Sequence, residues 1–381
     1  VSALKDFLGF LVNPPPGDLS RTAGGDQIRP FVGVTILPTG DTSGAADTAA
    51  IQAAINSSYI TGQPVNLAPG IFYVSQITIN ADAIGGGQRL KGFVLRGAGR
   101  QATIIVGVGV GPTLNIISNV GSGGTAHVRL EDFQIYYTGA IANVGLQIWN
   151  VLHFSALGCL FYANSCACSI QGSGVGAFVD CEFYLAGPAM APLAALWCGC
   201  GNTAPNANNG PLTSTGPLLF LGCQVGSATG VPAIILDGRT AVHGTGAFST
   251  VFIASQYGAV GASQPASVTI DGWYTTAEFL GCHGESNYNT ANSASDFLIG
   301  ANAAPRLVAV RDHISNGHGN ITNYQSYFMD IAGAQSVILD GIQVSKLGNP
   351  NGYNGGVVHF RAGYPAAGSH FQARAIDRDD V

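Results

Sequence analysis

Gly40-Asp41-Thr42-Ser43-Gly44-Ala45-Ala46-Asp47-Thr48-Ala49-Ala50-Ile51-Gln52-Ala53-Ala54-Ile55 is followed, after a short gap, by Val65-Asn66-Leu67-Ala68-Pro69-Gly70-Ile71-Phe72-Tyr73-Val74. Asp47 or Thr48 is suited to cap a helix, its side-chain oxygen accepting from free backbone N–H groups. Ile51, Ala54 and Ile55 then share one helical face. The second segment alternates as a strand does, and Pro69-Gly70 supplies a turn before Ile71. The spacing predicts a short helix over 47–58, delivered beside the start of a sheet.

With Leu95-Arg96-Gly97-Ala98-Gly99 and Thr103-Ile104-Ile105, the stretch resembles the N-terminal signature of pectate-lyase-like right-handed parallel β-helices. That family includes bacteriophage tailspikes and many secreted polysaccharide lyases and hydrolases. The resemblance covers roughly residues 38–106 and speaks to fold, not to reaction. Gly40-Asp41-Thr42 stands where the family usually has Gly-Asp-Gly, and Ala68-Pro69-Gly70 where it has Pro-Pro-Gly. The resemblance implies an all-β, right-handed parallel β-helix with a short N-terminal capping α-helix.

Composition agrees with a solenoid of short strands and tight turns. Charged residues are 9% of the 381, against about 25% in an average domain. Hydrophobic residues are 46% and glycine contributes 54 positions, a mixture unlike that of disordered chains. The net charge is −6 and no basic stripe exists, which excludes a nucleic-acid binder. No apolar run reaches the length of a membrane span. The eight cysteines include Cys166-x-Cys168 and Cys198-x-Cys200, which lack the Cys-x2-Cys spacing of zinc sites. They read as small buried hydrophobes, and neither a metal nor a cofactor is expected.

From about residue 90 a loose repeat appears. Leu130-Glu131-Asp132-Phe133-Gln134-Ile135, Ala156-Leu157-Gly158-Cys159-Leu160-Phe161 and Phe178-Val179-Asp180-Cys181-Glu182-Phe183 share one spelling. Phe220-Leu221-Gly222-Cys223-Gln224-Val225, Phe252-Ile253-Ala254-Ser255-Gln256-Tyr257 and Phe279-Leu280-Gly281-Cys282-His283-Gly284 continue it. Val310-Arg311-Asp312-His313 and Ile338-Leu339-Asp340-Gly341-Ile342 follow more weakly. Ala186–Pro217, rich in Pro, Gly, Asn and Thr, reads as an extruded loop. Strand alternation puts Phe133, Cys159, Cys181, Cys223, Ser255, Cys282, Asp312 and Gly341 in an inward column. Asp312 fits there poorly, because a buried carboxylate needs partners. The outward column is then Gln134, Leu160, Glu182, Gln224, Gln256, His283 and His313.

This polar stripe is the candidate site. A glycan groove, the axis of a trimer and plain surface are all open readings of it. For catalysis the candidates are Glu285, His283, Asp312, His313 and Glu182. Two carboxylates would serve hydrolysis, and a base with a cationic or amide partner would serve elimination next to a uronate carboxylate. For substrate binding the candidates are Gln224, Gln256, Trp273, Tyr274, Tyr288 and Arg311. Asp237-Gly238-Arg239, Asp271-Gly272 and Asp340-Gly341 read as turns.

The expected organisation is an arm or linker over 1–38, the β-helix over 39–365 and a tail over 366–381. The resemblance implies an extracellular or virion-surface protein that binds, and degrades by lyase or hydrolase chemistry, a polysaccharide. It further implies a homotrimer; the arm itself reads as packing on a neighbour or linking to a larger particle. The other reading is a non-catalytic appendage or receptor-binding fibre.

Overall fold

The computed structural model describes residues 33–84, 92–118, 127–137, 139, 142–185, 193–199, 216–238, 249–259, 266–272, 276–285, 295–301, 305–316, 327–345, 356–362, 364 and 368–379. The chain winds into stacked coils as a right-handed parallel β-helix, the usual hand for parallel crossovers. A ten-stranded parallel sheet, from Ile77–Asn80 to Gly356–Phe360, forms one face. A twenty-stranded parallel sheet forms the other two, which meet at a corner. We name these the upstream face, before the corner, and the downstream face, after it. The ten-stranded sheet is the third face.

From the coil of Asp132 onward, the corner is one left-handed residue per coil. Asp132, Gly158, Asp180, Gly222, Ala254, Gly281, Asp312 and Gly341 all have φ between 47° and 65°. Glycine adopts this region freely, and aspartate tolerates it through its short polar side chain. Hydrogen bonding runs through the corner unbroken: Asp180 N–H donates to Leu221 C=O at 2.9 Å and Gly222 N–H to Ile253 C=O at 2.9 Å.

The residue after each corner points into the core. Cys159, Cys181, Cys223 and Cys282 are buried in this column, and each thiol donates to the carbonyl two residues earlier. Burial pushes the Cys159, Cys223 and Cys282 thiols up, Cys282 to about 11. Beside them Phe178, Phe220, Phe252 and Phe279 stack with centroids 5.1, 4.6 and 4.8 Å apart and nearly parallel rings. Those distances match the roughly 4.8 Å spacing of neighbouring strands, so the stack is set by the coil rise.

The register differs from the sequence reading at two coils. Asp312 occupies the left-handed corner and is exposed, while His313 takes the inward slot and is fully buried. The outward partner of His283 is therefore Ile314, not His313. Likewise Gly341 is a corner and Ile342 is the inward residue.

The capping helix spans Ala45–Thr61, two residues earlier and three later than expected. Its N-cap is Gly44, and neither Asp47 nor Thr48 caps it. Asp41 does that work, its carboxylate accepting from Ala46 N–H and Ser43 N–H at 2.9 Å each. Those bonds hold the Asp41 carboxyl below its usual pKa. Asp47 lies inside the helix, fully buried, and accepts from Thr39 N–H at 2.8 Å and Tyr73 N–H at 2.9 Å. Thr48 accepts from Ser75 N–H. Both residues tie the helix to the first coil.

Two segments set apart in the sequence carry further strands. Ala194–Gly199, within the stretch read as a loop, is a third-face strand with Leu196 and Cys198 in the core. His370–Asp379, within the stretch read as a tail, pairs in parallel with Ser336–Ser345. Val34–Ile36 pairs with Val65–Leu67. Among the described residues no helix is long and apolar enough to cross a membrane.

Candidate functional site

Alternation leaves two outward columns on the downstream face. The first runs Gln134, Leu160, Glu182, Gln224, Gln256 and His283, each opposite the next on successive coils. It is the stripe expected from the sequence, continued by Ile314 in place of His313. The second column lies two residues later and contains Tyr136, Tyr162 and Tyr184 on consecutive coils. Tyr136 and Tyr162 stack with centroids 4.8 Å apart and planes at 29°. Burial raises the Tyr162 and Tyr184 phenols, so both keep their protons at neutral pH.

Above Tyr184 this second column carries Gly226 and Gly258, then Glu285. A side chain at Gly226 would lie 2.7 Å from the Tyr184 ring, and one at Gly258 would lie 2.2 Å from the Glu285 carbonyl oxygen. The Tyr184 ring and the Glu285 backbone thus fill the space over the two glycines, and Gln224 and Gln256 border this stretch.

The polar groups around it are positioned by one another. Tyr184 O–H donates to Gln224 Oε1 at 2.8 Å. Gln256 Nε2 donates to Glu285 Oε2 at 2.5 Å, and His283 Nδ1 lies 3.5 Å from Glu285 Oε1. Arg100 Nη1 lies 2.7 Å from Glu182 Oε1. Arg311 is on the other side of the corner, 3.7 Å from Glu278.

The predicted site residues therefore separate into groups. His283, Glu285, Gln256, Gln224 and Glu182 share the downstream face. Asp312 sits exposed at the corner of the next coil. His313 cannot reach a bound polymer: it is fully buried, shares a 3.0 Å hydrogen bond with the Tyr257 hydroxyl through Nε2, and packs against Phe297 and Phe328. Burial holds its pKa down to about 3, with nearby His283 a smaller cause. Trp273, Tyr274 and Tyr288 lie outside the described residues.

Glu182 and Glu285 are three coils apart, about 14 Å at ~4.8 Å per coil. That exceeds the ~5–9.5 Å between the two carboxylates of glycoside hydrolases. The His283–Glu285 pair has instead the elements of a proton acceptor with a partner that orients it. Among the described residues no group of three His, Cys, Asp or Glu is placed to hold a metal ion.

The tyrosine column escaped the sequence reading although its signal is present. In Gln134-x-Tyr136, Leu160-x-Tyr162 and Glu182-x-Tyr184 the aromatic keeps the same outward parity. Asp237 and Asp271, read as turn residues, are strand residues paired in register on the third face. One coil is close to the carboxylate spacing of a retaining hydrolase. Their exposures of 0% and 2% close them to a polymer, however, and the downstream face is the better candidate.

No family model matches the sequence, and no curated protein matches it. Solved structures do resemble it. A Geobacillus virus E2 protein, ORF18, is 16% identical over 91% of this chain and 60% of its own, with a TM-score of 0.50. The tailspike gp49 of Acinetobacter baumannii bacteriophage Fri1, a capsular polysaccharide depolymerase, is 10% identical over 92% of this chain and 64% of its own, with a TM-score of 0.51. The gp42 tailspike of Acinetobacter phage vb_AbaP_AS12 is 11% identical over 93% and 63%, with a TM-score of 0.50. This chain spans about six-tenths of the length of each. At these identities the likeness is one of fold.

Proposed function

We propose that this chain is the β-helical part of an extracellular or virion-surface protein that grips a polysaccharide along its downstream face. The observation that carries the reading is the column of Tyr136, Tyr162 and Tyr184 on consecutive coils, beside a parallel column of amide and carboxylate groups. Aromatic faces offer a rigid apolar platform at low entropic cost, and the neighbouring amides and carboxylates match sugar hydroxyls. A polymer lying along the solenoid axis meets the tyrosines at one end and His283–Glu285 at the other. The tailspikes among the similar structures, one of them a capsular polysaccharide depolymerase, support this reading.

For the reaction, the spacing of the carboxylates favours elimination over hydrolysis. His283, oriented by Glu285, takes the proton α to a uronate carboxylate. The electron pair left on that carbon forms a double bond to its neighbour and expels the glycosidic oxygen. A second reading, glycan binding without cleavage, is favoured by the hydrogen bond that already occupies one Glu285 oxygen.

Residues 1–38 are assigned to an arm joining a larger particle, 39–365 to the β-helix and 366–381 to a tail that contributes the last strand. The assembly is assigned as a homotrimer. Incubation with a panel of bacterial capsular polysaccharides tests the whole. Binding with new absorbance near the ultraviolet edge, from an unsaturated uronate, supports elimination, and binding without products supports the second reading. New reducing ends without that absorbance overturn the elimination route, and no binding across the panel overturns the proposal.

A further inference from the structure

The third face carries a titratable cluster that the downstream face does not use. One of its outward columns runs Ile235, Thr269, Leu298, Asp330 and His359 on consecutive coils. The first three are uncharged. On the last two coils Asp330, His359 and Arg361 come together. In a chain with only 9% charged residues, the composition alone does not supply such a concentration.

One carboxylate organises the group. Arg361 Nε donates to Asp330 Oδ1 and Oδ2 at 3.1 and 3.0 Å, and Nη2 donates to Oδ2 at 2.6 Å. Paired with a guanidinium, the carboxylate has only acceptors to offer. His359 Nδ1, 2.9 Å from Oδ1, is therefore the donor, and the neutral ring keeps its lone pair on Nε2. Tyr327 stacks on His359 with centroids 4.5 Å apart and planes at 14°, which fixes the plane of the imidazole. The side chains of His359 and Arg361 are 41% and 45% exposed, against 13% for Asp330. Among the described residues neither His359 Nε2 nor Arg361 Nη1 has a hydrogen-bond partner. A surface ion pair adds roughly 0–1 kcal/mol to stability and needs no oriented histidine to do so.

We propose that Tyr327, Asp330, His359 and Arg361 form a binding site for a carboxylate-bearing sugar unit. Arg361 Nη1 donates to the sugar carboxylate, and His359 Nε2 accepts from a hydroxyl of the same or the adjacent unit. Two features select this ligand class. A planar cationic donor matches a carboxylate. Beside it stands an acceptor, which a bare anion such as sulfate leaves unsatisfied because it carries no O–H. A neutral sugar satisfies the imidazole but brings no charge to the guanidinium. A uronic acid supplies both groups on one ring. Because Asp330 holds both residues, their free edges are fixed before the ligand arrives, which lowers the cost of ordering them.

This site goes beyond the downstream reading and does not rest on it. Ser295–Ile299 is the third-face strand that follows Glu285, and Asp330 and His359 lie one and two coils further along.

The experiment is footprinting of the full chain with diethyl pyrocarbonate, which acylates an accessible imidazole nitrogen that bears a lone pair. Mass spectrometry reads each of the eight histidines. His359 is expected to react in the folded chain, and an oligogalacturonate is expected to protect it saturably. At about ten times the half-saturating concentration, occupancy slows the reaction roughly tenfold. Sulfate and a maltooligosaccharide of equal length should give no protection. In a folded Arg361→Gln chain His359 should still react and the protection should be lost, whereas Tyr162→Ala on the downstream face should keep it. No reaction at His359 overturns the free Nε2 and the site with it. Reaction without protection by oligogalacturonate overturns the proposal. Equal protection by sulfate overturns the sugar, and equal protection by the maltooligosaccharide overturns the role of the carboxylate. Protection retained in Arg361→Gln overturns the role of Arg361, and protection lost in Tyr162→Ala overturns the separation of the two sites. If Arg361→Gln loses its β-sheet circular dichroism, Arg361→Lys takes its place: weakened protection supports the fork, and unchanged protection overturns it.

Discussion

The upstream and downstream faces belong to the same coils and are separated by one left-handed residue, yet they carry opposite surfaces. Before the corner, Leu157, Val179, Leu221 and Ile253 make an aliphatic strip. After it, Leu160, Glu182, Gln224 and Gln256 lead to Tyr162, Tyr184 and Glu285. The backbone ladder and inward columns are common to both. In a parallel β-helix the fold is set by what points in and by the corner. The outward positions are then free to carry two unrelated surfaces side by side.

The comparison breaks most completely where the faces share their interior. Phe220→Ala opens a gap in the phenylalanine stack and should cost about 3–5 kcal/mol. Denaturant unfolding measures it, and both faces should be disturbed together. A cost under about 1 kcal/mol would mean the stack does not hold the coils.

A smaller effect is expected from His313. Its folded pKa of about 3 lies below the unfolded value of about 6.5, so between those values the unfolded chain binds more protons. This contribution to stability is present at neutral pH and is lost as pH falls from about 6.5 toward 3. From pH 7 to pH 5 the loss is about 2 kcal/mol. His313→Phe should be less stable at pH 7, since its hydrogen bond with Tyr257 is lost, but should flatten the pH slope in that window. An unchanged slope would mean that other groups set it.

On the downstream face alone, Tyr162→Ala should weaken glycan binding by about 1 kcal/mol, roughly fivefold, through lost platform area and stacking. Association should stay unchanged. Titration calorimetry and light scattering on one sample separate the two readouts. A reversed outcome, with association lost and binding kept, would place Tyr162 in an interface between chains instead.

What the sequence revealed follows the same division. The cysteine column was legible because Cys159, Cys181, Cys223 and Cys282 follow a small or acidic residue and precede an outward polar or apolar one. The register slips at Asp312-His313 because the weak repeat Val310-Arg311-Asp312-His313 lacks the cysteine that marks the inward slot on other coils, so the slot is read one residue early. A histidine fits there because it shares a hydrogen bond with Tyr257, 56 residues away in sequence. The left-handed residue is the better marker, and Asp132, Asp180 and Asp312 mark it as Gly158, Gly222 and Gly281 do. Third-face strands were the least legible. Cys166–Gln171 and Ala194–Gly199 are buried at every position, including the outward Gln171 and Trp197, so the polar alternation that reveals a strand is absent. The helix was seen but its cap was not, because Asp41 reaches Ala46 from outside the helix rather than from the N-cap position.

The smallest effect is expected at the corner, which belongs to both faces. Gly222 has φ 63°, and a Cβ there would meet nothing within 4 Å. Gly222→Ala therefore meets no clash but takes on left-handed strain, partly offset by a less flexible unfolded chain, and should cost about 1 kcal/mol. Ala254 holds the equivalent position with φ 47° and a Cβ already in place. Ala254→Gly relieves that strain but gives the unfolded chain more conformations, leaving a gain of about 0.5 kcal/mol. Paired unfolding curves check the opposite signs. Because neither substitution touches an outward column, glycan affinity and chain association should both match the wild type. A change in either would show that the corner sets the angle between the faces as well as joining them. The two surfaces would then be coupled, contrary to their separation by a single rigid residue.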